Sequence, residues 1–313
     1  MRIFRLLTLV FATGFIFFYF SELLFWARPR PGDSPGGWLA TWIAYSALAF
    51  FFLVIVNHFR VRSIWAVFLA GAAFGWLGEG LVVQTAYEQL PLSISFTGLA
   101  WHALITVWIG WYAVRKSLHS PDSLAVLKVC ALIGLGYGLW AISWWGEPDG
   151  GVSTIQEFAA FSIIATILAI FAYRFSDWGS AEKFNPNHWS IMIMGSLALL
   201  YFLFVTIPAQ PLAALILPVL LGLVYLGLRW NRQSEPEGSL LYPSDSNVPP
   251  WKYTSIMAIP VCAVAIYGLA MVLDLQWRTN MVLYLVTTPA GFILFGLSLH
   301  KTWQAHQYEE NPK

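Results

Sequence analysis

Three ionisable side chains, Glu22, Glu79 and His102, stand inside long apolar stretches of this sequence. A charge at the centre of a bilayer costs roughly 2.5–3.5 kcal/mol on insertion scales, so such residues are rare and mark candidate sites. A glutamate beside a histidine is an acid–base couple, because imidazole titrates near neutrality and pairing shields both groups from lipid. Proton transfer to a substrate needs such groups within hydrogen-bond reach of the reacting atom. Glu79 and His102 are the expected catalytic pair, with Glu22 polarising or orienting the substrate. The same pair would also serve as a plain lock between two helices. Carboxylates with one histidine suit a hard or borderline cation. The sequence has neither HExxH nor HxxxH nor a histidine-rich stretch, however, so no metal or cofactor is expected.

Spacing says what brings the pair together. Gly71, Gly75 and Glu79 recur every fourth residue, as do Gly98, His102, Thr106 and Gly110. On a helix each set is one stripe, and small residues in such stripes let helices in a membrane approach closely. The short 89–94 connection makes the two helices antiparallel neighbours. Counted at 1.5 Å per residue, Glu22, Glu79 and His102 then lie roughly 8–12 Å below the same surface. Glu88, Tyr87, Trp101, Thr106, Tyr137, Trp140 and Trp144 are the expected substrate-contacting residues, with Trp76 and Trp145 close by. Tyr137, Trp140 and Trp144 share one stripe. Together they suggest a flat-walled apolar cleft for a lipid-like or polyene ligand, open to the outer leaflet.

The elements that must carry these residues are membrane spans. Of the 313 residues 58% are hydrophobic and only 11% are charged, where a soluble domain carries about a quarter charged. Apolar runs of roughly 20 residues match the ~30 Å hydrocarbon core crossed as helix, and none alternates as a barrel strand would. The expected fold is all-α, a polytopic bundle of about ten spans near 4–27, 37–58, 64–86, 95–114, 123–145, 154–174, 189–207, 210–229, 254–275 and 280–299. The first run is longer than a signal-peptide core and no small-x-small cleavage site follows it.

Orientation follows from the basic residues. With the N-terminus inside, the inner segments collect Arg2, Arg5, Arg60, Arg62, Arg115, Lys116, Arg174, Lys183, Arg229, Arg232, Lys252, Lys301 and Lys313. The outer segments hold Arg28, Arg30 and Arg278, thirteen against three, and Lys128 lies just inside an inner end. This places both termini in the cytoplasm, in a bacterial-type inner or plasma membrane. Segment 230–253 is the longest loop. Residues 1–175 are expected to be the functional half and 176–313 a scaffold half, because spans seven, eight and ten hold no interior acid, base or histidine.

The remaining polar residues suggest background roles. Glu88, Glu147, Asp149 and Glu157 fall at or beyond the outer interface and read as solvated, while Asp274 and Arg278 sit a turn apart as a local ion pair. His58, His119, His188, His300 and His306 fall at inner ends as interfacial residues. Cys130 and Cys262 read as packing residues. The net charge of +1 gives no reason to expect nucleic acid. The expected partner is a membrane lipid or lipophilic small molecule, and partner proteins are unspecified.

Three functions compete on this basis: an intramembrane enzyme acting on a lipid-like substrate, a proton-coupled secondary transporter, and a non-catalytic membrane subunit or lipid-binding scaffold. Glu79-Gly80, Pro91-Leu92-x-Ile94 and Trp101 faintly resemble the membrane carotenoid hydratases. The resemblance covers residues 79–101; the spacing differs and the glycine-rich Pro-Phe-Gly stretch is absent. It implies an isoprenoid-like substrate and nothing finer.

Overall fold

A computed structural model describes residues 2–147, 151–181, 183–234, 240, 248–275 and 277–310. Asp149, Lys313 and half of the 230–253 loop lie outside the described residues. Among those described there is no strand, and ten helices are long and apolar enough to cross a membrane. They are Arg2–Trp26, Pro35–His58, Ile64–Val82, Ile94–Leu118, Ala125–Gly146, Ile155–Gly179, His188–Ala209, Ala213–Arg232, Pro250–Val272 and Thr279–Tyr308, numbered here as spans 1 to 10. The all-helical, ten-span expectation holds.

Local chemistry sets many of the ends. Ser34, Ser63 and Asn187 accept the first free backbone N–H groups of spans 2, 3 and 7, as good N-caps do. Thr154 and Glu157 form a reciprocal capping box on span 6. Ala27 and Gln84 take left-handed backbone angles just past spans 1 and 3 and turn the chain out of the helix.

Several expected ends move. Span 3 stops at Val82, and Thr85–Tyr87 form a separate short turn. Span 6 runs on to Gly179, and there Asp177 pairs with Arg115 of span 4 and accepts from Tyr253 of span 9. Span 10 continues past residue 299 to Tyr308 as a polar helical extension.

Spans 3 and 4 pack side by side at the centre, with spans 1, 8 and 10 against them and spans 2, 5, 6 and 9 completing the bundle. Glycine decides the central contact. A side chain on Gly75 would strike the backbone of Gly98, and one on Gly98 would meet the Trp76 indole at 2.5 Å. Gly71 sits against Ala103 and Val107. Trp76, expected near the ligand, is instead fully buried packing whose Nε1 donates to Ile94 O at 3.0 Å. Span 7 is peripheral: only 6% of its apolar window is buried.

Among the described residues four stretches are wound as π-helix: Tyr19–Leu23 in span 1, Leu77–Val82 in span 3, Ile94–Ala113 in span 4 and Phe202–Thr206 in span 7. Their hydrogen bonds run five residues back, as from Val114 N–H to Ile109 O. π-turns are uncommon and cluster at functional sites.

Candidate functional site

Glu22, Glu79 and His102 each fall on one of these π-wound segments, and the fold brings all three together. His102 Nε2 lies 2.6 Å from Glu79 Oε1, with the two side chains only 5% and 14% exposed. On its other face, His102 Nδ1 is 3.0 Å from Ser21 Oγ, which also lies 2.9 Å from Thr106 Oγ1. With Glu79 ionised and the ring neutral, Nε2–H donates to the carboxylate and Nδ1 accepts from Ser21. The second oxygen of Glu79 accepts from the Thr85 hydroxyl.

Glu22 stands beside this pair, tied to spans 1 and 2. Its Oε2 accepts from Trp26 Nε1 at 3.0 Å and its Oε1 from Tyr45 OH at 2.9 Å. The Tyr45 ring is 6.4 Å from the His102 ring, and Phe74 presses edge-on against that imidazole at 5.4 Å. The result is one buried polar cluster drawn from spans 1, 2, 3 and 4 within an apolar wall.

Lengthening a turn leaves backbone carbonyls without a helical partner, and around Glu79 side chains take them up. Tyr87 OH donates to Gly80 O at 2.8 Å, Thr206 to Leu81 O at 2.7 Å, and Tyr201 to Val82 O at 3.2 Å. Burial pushes the Tyr87 phenol up to about 12, so it stays a donor at any working pH. Span 7, otherwise loosely attached, thus hooks its own π-turn onto that of span 3.

The expected substrate residues separate into groups. Thr106 touches Ser21, and Tyr87 braces the π-turn. Trp140 and Trp144 both donate to Phe25 O, at 2.6 and 2.7 Å. Trp101 packs on Phe25 and Trp140 with centroids 4.7 and 4.8 Å away, and its buried Nε1 has no hydrogen-bond partner among the described residues. Phe25, Trp101 and Trp140 thus pack on one another as one aromatic group. Tyr137 faces span 6, where it meets Ser162 and Phe158. Glu88 is exposed on the 83–93 segment. Neither is brought to the pair. A shallow open recess beside span 1 is lined by Glu22 with Phe18, Trp26, Trp38 and Phe161 and by Arg28 and Arg30.

Sequence reasoning missed Ser21, Tyr45 and Thr85. Tyr45 left a signal, since it is the single tyrosine of span 2. A second missed cluster sits at the far end. Asp177 lies 3.4 Å from Arg115, 3.3 Å from His119 Nε2, and accepts from Tyr253 OH at 2.7 Å. His119 is therefore part of a buried polar knot rather than a simple interfacial residue. The expected Asp274–Arg278 pair does not form, because Asp274 has a left-handed φ of 49° in the turn after span 9 and the helical spacing is lost. Cys130 and Cys262 are free thiols, buried and half-buried. Among the described residues no group of three His, Cys, Asp or Glu could hold a metal ion.

Neither a family model, a curated protein nor a solved structure matches the chain. The faint likeness to carotenoid hydratases therefore rests on the residues quoted for it alone.

Proposed function

We propose that this multi-pass membrane protein is an intramembrane enzyme that carries out acid–base chemistry on a lipid- or isoprenoid-like substrate. The observation carrying this reading is the buried His102–Glu79 bond on two π-wound turns, with Ser21 on the other imidazole nitrogen. In these roles the His102–Glu79 pair holds the proton exchanged with substrate, which must pass through Ser21 or the Glu79 carboxylate because both imidazole nitrogens are bonded, and Glu22 supplies a second carboxyl. A buried donor without a partner needs a reason, and a substrate oxygen accepting from Trp101 Nε1 supplies one. Residues 1–175 carry this chemistry and 176–313 support it. Both termini lie in the cytoplasm of a plasma-type membrane, so the site opens to the outer half.

A second reading, proton-coupled transport, is favoured by the enclosure of the pair and by helices that depart from regular α-winding where a cargo would pass. The deciding experiment is mass spectrometry of lipophilic molecules co-purifying with wild type and with Glu79→Gln. A specific molecule held by one and lost or chemically altered in the other supports the enzyme. Turnover in detergent separates enzyme from transporter, since no gradient exists there, whereas substrate-dependent proton movement in sealed liposomes favours transport. If Glu79→Gln and His102→Ala change neither activity nor the co-purified molecules, a scaffold remains and the site assignment fails.

A further inference from the structure

The His102–Glu79 pair is buried, so any proton it gives or takes must reach water through the protein. Two routes lead away from it. One runs from Glu79 to the Thr85 hydroxyl on the 83–93 segment. The other runs through span 1 to the recess, and it is the longer and better connected.

We infer that Glu22, Tyr45 and Ser21 form a proton inlet joining the recess beside span 1 to His102. Glu22 lines the recess. Its Oε1 is bonded to Tyr45 OH at 2.9 Å. Ser21 is the neighbour of Glu22 on the same π-turn, its Oγ lies 3.0 Å from His102 Nδ1, and the Tyr45 ring lies 6.4 Å from the His102 ring. Glu22, Tyr45 and Ser21 can each accept and donate a proton; at rest the Tyr45 hydroxyl donates to Glu22, and its link to Ser21 forms only when Glu22 is protonated and that hydroxyl turns. Thr106 completes the design: its hydroxyl lies 2.9 Å from Ser21 Oγ, where either can donate, and 3.3 Å from Trp101 O, to which it donates when it accepts from Ser21. It gives the Ser21 proton a resting position when His102 is already protonated.

The transfer balances without any co-reactant beyond water. Hydronium in the recess protonates the Glu22 carboxylate. That proton passes to the Tyr45 oxygen as the Tyr45 proton leaves for Ser21, and the Ser21 proton leaves for His102 Nδ1. Glu22 ends as carboxylate, both hydroxyls are restored, and His102 ends as imidazolium with Nε2–H still on Glu79. Rotation of the two hydroxyls resets the chain. Arg28 and Arg30 at the rim, with Asp33 on Arg30, are the charges the incoming proton meets first. Tyr45 is thus a relay residue rather than a catalytic one, because it touches neither substrate nor the reacting atoms.

The inference rests on the proposal that the pair exchanges protons, but its test needs no substrate. Detergent-solubilised full-length protein carrying ¹⁵N-imidazole histidine reports exchange of the His102 ring protons with water, assigned against His102→Asn. Tyr45→Phe keeps the ring that packs on Phe18 and Phe74 and removes only the hydroxyl. Exchange is expected to slow about tenfold or more, while an unchanged His102 Nε2 shift shows that the bond to Glu79 survives. Glu22→Gln is expected to do the same and serves if Tyr45→Phe does not fold. Thr85→Val is expected to leave exchange unaltered. Exchange unaffected by Tyr45→Phe and Glu22→Gln overturns the inlet, as does slowing by Thr85→Val alone. Loss of turnover and flux with an intact inlet would instead count against the proposed function.

Discussion

Gly75→Ala tests whether the site depends on the close approach of spans 3 and 4. The added methyl would lie 2.9 Å from the Gly98 carbonyl carbon and 2.9 Å from His102 Cβ, with Gly98 O nearer still. Ordinary contact begins at 3.4 Å, so the spans must part by about 0.5 Å at His102 and by more at Gly98. No flexible side-chain end is available to yield, since two of the three obstacles are backbone. Overpacking of this kind costs about 1–3 kcal/mol. The same movement carries His102 away from Glu79 and stretches their 2.6 Å bond toward about 3.1 Å, beyond the usual 2.7–2.9 Å of a charge-assisted bond. Gly136→Ala is the control, because nothing lies within 4 Å of that position. Equilibrium unfolding in mixed micelles, followed by tryptophan fluorescence, should separate the two variants by that 1–3 kcal/mol. A difference under about 0.5 kcal/mol, within the range of neutral surface changes, together with an unchanged His102 Nε2 shift, would refute the reasoning.

Three further outcomes are expected. Asp177→Asn leaves Arg115 buried beside a group that no longer balances it; breaking a buried pair costs about 3–5 kcal/mol, and Arg115→Met in the same chain should recover much of the loss in the same unfolding assay. At Asp33, burial works against the charge, but the Arg30 backbone N–H, the Trp38 indole and the Arg30 guanidinium outweigh it and hold the carboxyl below its usual 3.8. A lowered native value adds stability above the unfolded one and loses it as pH falls through the native one. The melting temperature of wild type should therefore drop more between about pH 5 and about pH 3 than that of Asp33→Asn. Finally, in a chain without Cys130 and Cys262, a cysteine placed within 241–247 should react with an impermeant maleimide only in inverted vesicles; reaction in intact cells would reverse the orientation.

The ten spans were legible because hydropathy and length act one helix at a time, and the stripes of Gly71, Gly75 and Glu79 and of Gly98 and His102 carried the central pairing into the sequence. What escaped was everything that depends on a third helix. Tyr45 reaches Glu22 only once span 2 lies on span 1, and Asp177 fell beyond the expected end of span 6 at residue 174, its partners Arg115 and Tyr253 sitting 62 and 76 positions away. The aromatic stripe of Tyr137, Trp140 and Trp144 was right in periodicity, but its members turn to different neighbours. Helical spacing does not say that Phe25 O will take both indoles while Tyr137 turns to span 6. Winding was the other blind spot, since nothing in the order of residues announced four π-helical stretches.

That winding makes the site sensitive to length rather than to composition. A regular α-helix turns 100° per residue, and Leu77–Val82 and Tyr19–Leu23 hold their turns open with hydrogen bonds five residues back. Removing a single residue from either turn would let it relax to regular winding and would swing everything beyond it round the axis. The hydropathy of the span would hardly change, and insertion would proceed as before. Yet Glu79 would face away from His102, or Glu22 away from Tyr45. The chain keeps its centre in register by a count of residues, so one deletion there is worth more than many substitutions on the lipid face.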